Sequence, residues 1–307
     1  MDRTTPQTNL QPAEPQRIVV GIATLGRGGI VTRAVEDLAL QERLPDLVFV
    51  SGCGEEDFGT LRDAHLPFPL ELLTGTKGSC VQRNLIFAHL KPTDILLIMD
   101  DDFLLAADYL GQLERLMKDA PDIVIATGKV LADGILGPGL DFDQGKAAMQ
   151  AGTQQPVGQA ITPVRNGYGC NMAIRMAPVL EHGLQFDEAL PLYGWFEDVD
   201  FSIRAGQYGR VVRADMLRGV HLGTKTGRTP GKKFGYSQVA NLVYLRRKGT
   251  LTRKALWYRL SRNIASNLRH SLRPVAWADH RGRLLGNLLA FGDLALGRCR
   301  PGRITEL

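Results

Sequence analysis

Residues 94–99, Asp-Ile-Leu-Leu-Ile-Met, run without a break into three aspartates, Asp100, Asp101 and Asp102. An apolar run with no polar alternation reads as a strand buried on both faces, which calls for helices on both sides of its sheet. Carboxylates directly behind such a strand stand at its carboxyl end, where open α/β sheets place their ligands. The flanking segments keep the rhythm. Arg17 to Ala23 is a β-branched apolar run, followed by a glycine-rich turn and a periodic segment from Ile30 to Leu40 that predicts a helix. Asp46 to Val50 and Leu70 to Leu73 predict strands, and Ser79 to Leu90 a helix opened by a capping box, Ser79-Cys80-Val81-Gln82. Behind the triplet comes a helix with Leu110, Leu113 and Met117 on one face. This alternation predicts an α/β fold, a mostly parallel sheet flanked by helices.

Further along, Ile123 to Ala126 and Cys170 to Ile174 predict strands and Ala177 to His182 a short helix. The segment from Leu131 to Gly169 is rich in Gly, Gln and Asp with weak periodicity, and reads as loops shaping a site. Another helix is entered through Glu197-Asp198-Val199-Asp200. The last hundred residues are helical and cationic, with Leu256, Leu260, Ile264 and Leu268 as a stripe at four-residue spacing. Charge divides the chain: residues 1–201 carry 15 Lys/Arg against 28 Asp/Glu, and residues 202–307 carry 22 against 4.

Several classes of protein are excluded. At 307 residues and 44% hydrophobic content the chain can bury a large core, which rules out disorder throughout. Cys53, Cys80, Cys170 and Cys299 are far apart without a C-x-x-C pair, which predicts free thiols rather than a disulfide framework or structural zinc. No stretch approaches the roughly 18 apolar residues of a membrane span. The longest candidate, Leu284 to Leu296, is interrupted by Gly286, Asn287, Gly292 and Asp293. Met1 to Gln16 is polar, without the apolar centre of a secretory signal, so the expectation is a flexible leader and a cytosolic protein. A dinucleotide fingerprint starting at Gly26 fails because Val31 stands where its last glycine belongs, and no phosphate-loop motif can be drawn through Gly145-Lys146.

Three groups of residues carry candidate chemistry. Crowded carboxylates in the Asp triplet repel one another unless a cation neutralises them, and hard cations such as Mg²⁺ or Mn²⁺ take carboxylates together with substrate phosphates. The competing structural reading is a solvated acidic turn that caps the following helix. Tyr193-Gly194-Trp195-Phe196 sets aromatic walls before Glu197 and Asp198, a platform suited to a sugar beside a candidate general base, or else core aromatics beside a helix cap. His221, as a neutral imidazole, suits a metal, and the loop behind it, with Lys225, Arg228, Lys232 and Lys233, suits a leaving diphosphate.

Taken in order, VVGIATLGR, KGSCVQRN, IMDDDF, GCNMAIR, LQFDEAL and WFEDVDFSIRAGQYGR resemble the family 2 nucleotide-sugar glycosyltransferases of GT-A fold, over about residues 17–248. The resemblance implies a leader at 1–16 and a GT-A domain at 17–248. That domain has a nucleotide-sugar half to about residue 130 and an acceptor half from 131, and a basic helical extension follows at 249–307. It implies an Asp-x-Asp element, with Asp102 on the metal, Asp100 nearer the ribose and Asp101 assisting. Asp198 is similar to the catalytic base of inverting members, with Glu197 as its alternate. Thr24, Arg27, Lys77, Arg83 and Trp195 would face the nucleotide sugar, and Asn84 would support a loop. The second strand ends Val50-Ser51-Gly52, where many members carry an acid that pairs with the base; Glu55, Glu56 or Asp57 could replace it.

The expected partners are a nucleoside-diphosphate sugar donor, a glycan or lipid-linked acceptor, and an anionic membrane surface. Polybasic amphipathic helices bind such surfaces, which places the protein peripherally on the inner face of the cell membrane. The alternative for the basic third is a solvated face packed on the acidic half. No nucleic-acid recognition module is present. Two other functions remain open: a sugar-phosphate nucleotidyltransferase, for which LGRGG is a poor match, and a non-catalytic scaffold of the same fold.

Overall fold

The computed structural model describes residues 16–307; the leader expected at 1–16 falls, apart from Gln16, outside the described residues. Strands β1 (Ile18–Ala23), β2 (Leu47–Gly52), β3 (Leu70–Thr74) and β4 (Ile95–Asp100) lie parallel in the order β3-β2-β1-β4. Between them run helices α1 (Gly28–Asp37) and α2 (Ser79–Phe87). The second half of the sheet is mixed. Strand β8 (Asn171–Arg175) inserts antiparallel between β4 and β6 (Ile123–Asp133). Strand β9 (Arg210–His221) runs parallel to β6, and β5 (Phe103–Leu105) and β7 (Ile161–Pro163) pair antiparallel with β9.

The unbroken apolar runs have the expected cause. In β4, Leu96 and Ile98 face one core while Ile95, Leu97 and Met99 face another, and β1 splits the same way between Val19 and Ile18, Val20 and Ile22. Helices α1 and α3 (Tyr109–Asp119) cover one face, through Val31, Val35, Leu110, Leu113 and Met117. Helix α2, α5 (Met176–Glu181) and α6 (Glu197–Ala205) cover the other. On that side α7 (Gly231–Lys248), α8 (Arg253–Leu272) and α9 (His280–Ala295) share the core through Tyr236, Leu260 and Ala290. Each fully buried aliphatic side chain contributes roughly 1.5–3 kcal/mol, so both faces of the sheet stabilise the strand order that sets the site. No described helix is long and apolar enough to cross a membrane.

Three local expectations are corrected. The segment 131–169 is not all loop: β6 continues to Asp133, α4 spans Phe142–Thr153, and β7 follows. Helix α4 is amphipathic only over a short patch, Met149 against Leu104, Val220 and Leu222, which is why its period is faint. It opens on a capping box between Asp141 and Gln144. The box expected at Ser79 and Gln82 does not form, because Gly78 takes the cap position with φ 146°. Ser79 Oγ instead donates to the Tyr193 carbonyl (3.0 Å), and Gln82 Nε2 donates to the carbonyls of Thr24 (2.7 Å) and Ser51 (2.8 Å), tying α2 to the ends of β1 and β2. On α8 the stripe drifts: four-residue steps advance about 40° beyond a full turn each. Leu260 is buried, Leu268 is exposed, and Asn267 takes the inward position.

Candidate metal centre and active site

Parallel pairing brings the carboxyl ends of β1 and β4 together, with Ala23 beside Asp100. The next residues meet: Thr24 Oγ1 donates to Asp101 (2.8 Å), and Arg27 Nη1 pairs with the same carboxylate (2.8 Å). Burial pushes Asp101 up to about 6 in spite of Arg27 and Thr24. Its oxygens are thus engaged by the loop that follows β1.

Asp100 and Asp102 turn toward β9. Register places His221 beside Asp133 of β6 and opposite Phe103 of β5. His221 Nδ1 lies 2.9 Å from Asp133 Oδ1, while Nε2 lies 3.4 Å from Asp102 Oδ1 and 3.9 Å from Asp100 Oδ2. Asp102 also accepts the Thr224 backbone N–H (2.7 Å), and Tyr168 donates its hydroxyl to Asp133 (3.0 Å). One donor atom from each of Asp100, Asp102 and His221 lies within 4.8 Å of the others. Opposite ligands of a Mg²⁺-sized ion stand about 4.2 Å apart, so small rotations would gather these three around one divalent cation. A carboxylate on the far nitrogen of a ligating histidine fixes its tautomer and orientation, and Asp133 occupies that place.

Burial opposes a charge on His221, yet hydrogen bonds and charge from Asp102 and Asp133 outweigh it and push the ring up to about 10. Burial also works against Asp102, but its bond to His221 holds it down at about 2. A divalent cation would take over the neutralising role and release the ring proton.

The second carboxylate group is joined to the first by one side chain. Arg83, buried on α2, donates Nη1 to Glu197 (2.6 Å) and Nη2 to Asp100 (3.4 Å) and to the Gly169 carbonyl (3.3 Å). Burial and the adjacent Asp198 push Glu197 up to about 7 against the pull of Arg83. Asp198, also raised by burial, accepts among the described residues only the N–H groups of Val199 (2.7 Å) and Gly169 (3.3 Å). Asp200 faces away: it is fully buried and bound by Arg204, Lys248 (2.8 Å) and Thr250 (2.8 Å). The chain enters α6 through Phe196 at φ 79°, a left-handed conformation uncommon for a bulky residue and typical of constrained functional loops.

The remaining candidates lie around these groups. Trp195 packs on Phe196 and Phe234, with its carbonyl held by Asn241 (2.9 Å). Asn84 braces the 186–188 turn through Phe186 and Glu188. Lys225 Nζ rests on the carbonyls of Gly134 and Ile135 (3.0 Å each), and the exposed Arg228 bonds the Thr224 carbonyl. Arg27 Nε holds the Thr226 carbonyl (2.9 Å), so this cationic loop is fastened to the triplet. Lys77 is exposed and has no hydrogen bond or ion pair among the described residues. Among the acids beyond β2, Asp57 is buried and accepts the N–H groups of Gly26, Cys53 (2.7 Å) and Gly54 (3.2 Å), and Glu55 pairs with Arg62. Asp133 and Tyr168 were missed by sequence reasoning. Asp133 carries the signature that singled out the triplet, an acid ending a strand, but it lies in the stretch read as loop.

The sheet order and the rim cage define a GT-A glycosyltransferase fold, and solved structures bear this out. A mannosyltransferase from Pyrobaculum calidifontis, PcManGT, solved with GDP-Man and Mn²⁺, aligns with TM-score 0.54 over 94% of this chain and 82% of its own, at 15% identity. S. aureus TarS 1–349 with UDP-GlcNAc aligns with TM-score 0.55 over the same shares, also at 15% identity. GalNAc-T7 with UDP, GalNAc and Mn²⁺ aligns with TM-score 0.50 over 85% of this chain and 57% of that one, at 14% identity. No family model and no curated protein sequence matches the chain.

Proposed function

We propose that this chain is a metal-dependent, inverting glycosyltransferase that moves a sugar, a hexose or related unit, from a nucleoside-diphosphate sugar to a hydroxyl of a glycan or lipid-linked acceptor. Its place is surface polysaccharide assembly at the inner face of the cell membrane. The observation that carries the reading is the link through Arg83 between the Asp100, Asp102 and His221 cage and the Glu197-Asp198 pair. Support comes from the fold neighbours, two of which hold nucleotide sugars and two of which hold Mn²⁺.

Asp100, Asp102 and His221 would hold Mg²⁺ or Mn²⁺, which when bound offsets the charge of the diphosphate. Lys225 and Arg228 add positive charge for the leaving group. The acceptor oxygen attacks the anomeric carbon as the bond to the diphosphate oxygen breaks; the electron pair leaves with the nucleoside diphosphate, and the hydroxyl proton passes to Asp198. A single displacement inverts the anomeric centre. Asp198 suits the base role better than Glu197, because Glu197 is already engaged by Arg83 while Asp198, among the described residues, accepts only backbone N–H groups. Burial raises its proton affinity toward the range a general base needs. Thr24 and Arg27 shape the nucleotide pocket through Asp101, and Trp195 and Lys77 border it.

Incubation with UDP-, GDP- and dTDP-sugars plus Mn²⁺ tests the reading, with nucleoside diphosphate release as the readout. Release that is lost in Asp198→Asn, with nucleotide binding kept, is the expected result. Pyrophosphate formed from a nucleoside triphosphate and a sugar phosphate would replace the reading with nucleotidyl transfer, and nucleotide binding without any turnover would leave a scaffold.

A further inference from the structure

The basic third of the chain presents a surface that the transferase site does not use. From Met216 to Ala278 the sequence holds no Asp or Glu and 14 Lys/Arg. Within this stretch α8 has two faces. Its inner face packs on the body through Leu260 and through Asn267, which donates to Gln238 and Asn287 (2.8 Å each). Its outer face carries a second apolar stripe at helical spacing: Trp257 is 65% exposed, Leu268 50% and Leu272 78%. Lys254, Arg262 and Arg269 flank that stripe, and none has an acidic partner among the described residues. Large apolar side chains left in water beside uncompensated cations mark an interaction surface.

We propose that the outer face of α8 docks on an anionic phospholipid bilayer, with Trp257, Leu268 and Leu272 entering the headgroup boundary and Lys254, Arg262 and Arg269 meeting lipid phosphates. An in-plane helix with tryptophan and leucine on one side and cations along its flanks has the composition such binding requires. A second copy of the chain fits this face poorly, because pairing it with itself would appose cations with no acid in reach. The same helix also touches the candidate site: the Arg259 guanidinium lies 5.4 Å from the Phe196 ring, and Phe196 immediately precedes Glu197 and Asp198. Docking through α8 would thus hold the Glu197-Asp198 pair near the bilayer, a consequence that rests on the transferase reading and suits an acceptor carried in the lipid.

Vesicle co-sedimentation with the full chain tests the docking without reference to turnover, so it can fail while the transferase reading stands. The protein is expected to bind phosphatidylcholine vesicles containing phosphatidylglycerol, to bind phosphatidylcholine alone weakly, and to be released by salt. Each Lys or Arg near an anionic surface adds about 1 kcal/mol. The triple change Lys254→Gln, Arg262→Gln and Arg269→Gln should thus lower the partition coefficient by at least about tenfold. Trp257→Ser with Leu268→Ser and Leu272→Ser should do the same. In the unaltered protein, brominated lipid should quench a share of the indole emission that disappears in Trp257→Phe. Full binding by both triple variants, or no quenching assignable to Trp257, overturns the proposal. So does a dimer in sedimentation velocity that the serine variant dissolves, which would make the stripe a contact between copies.

Discussion

The two acidic clusters of this protein, Asp100 to Asp102 and Glu197 to Asp200, have nearly the same composition and differ in what answers their charge. Around the triplet, Arg27, Arg83 and His221 converge from three separate elements, yet only Asp101 is closed off by them. Asp100 and Asp102 keep oxygens turned into a space that a divalent cation could fill. In the second cluster the order is reversed. Asp200 is locked by Arg204, Lys248 and Thr250, Glu197 by Arg83, and Asp198 alone makes no ion pair among the described residues. What a carboxylate could do here follows from its neighbours: one cluster offers two candidate ligands around one fixture, and the other one candidate base between two fixtures.

The comparison breaks most sharply when one residue of each cluster is changed. Asp102→Ala should weaken Mn²⁺-dependent nucleotide binding by at least about 100-fold, since it would remove a ligand of the proposed metal site. Asp198→Asn should leave that binding within about threefold while turnover falls by roughly 10²–10⁴. Calorimetry with nucleoside diphosphate and steady-state assays separate the two, and equal binding defects in both variants would erase the distinction. Asp200→Asn should act on folding alone: breaking a buried ion pair costs about 3–5 kcal/mol, read as a lower denaturant midpoint. A variant of unchanged stability would show that Asp200 is not the fixture its partners imply. Asp133→Asn is the finer test, because it leaves the three candidate ligands in place and weakens what holds the His221 ring and the Tyr168 hydroxyl. Mn²⁺ affinity should drop about 10- to 100-fold, with a loss of metal-free stability smaller than that of Asp200→Asn, because Asp133 is partly exposed and Asp200 fully buried.

Much of this contrast was legible in the sequence, and the exceptions share a cause. Strands β1, β2 and β4 were readable because each is buried on both faces and so is almost wholly apolar, as DILLIM shows, whereas β3 at the sheet edge is only half-buried. The triplet stood out because its acids end such a strand. Helix α4 was not readable, since only a short part of it meets the core. That misreading hid the end of β6 and with it Asp133, whose role exists only through its register with His221. Ser79 and Gln82 fit a local capping pattern, but tertiary partners at Tyr193, Thr24 and Ser51 claim both side chains. Local periodicity reports burial; it does not report which distant backbone a polar side chain will meet.

The smallest effect probes the cationic loop between the clusters. Burial, together with Arg228 and Arg283, lowers Lys225 to about 8, so its ammonium titrates within the range where an enzyme can be assayed. The proton is fully present below that value and is lost as pH rises through it. If the ammonium meets the diphosphate, binding favours the protonated form, and affinity should fall by up to about tenfold between pH 7 and 9. Lys225→Arg keeps a charge that does not titrate in this range, so its affinity should stay flat apart from losses common to both proteins. The difference between the two pH profiles, measured by calorimetry with nucleoside diphosphate and saturating metal, isolates Lys225 from hydroxide competition at the cation. Parallel profiles would mean that Lys225 serves the Gly134 and Ile135 carbonyls alone, and that the charge meeting the leaving group comes from Arg228.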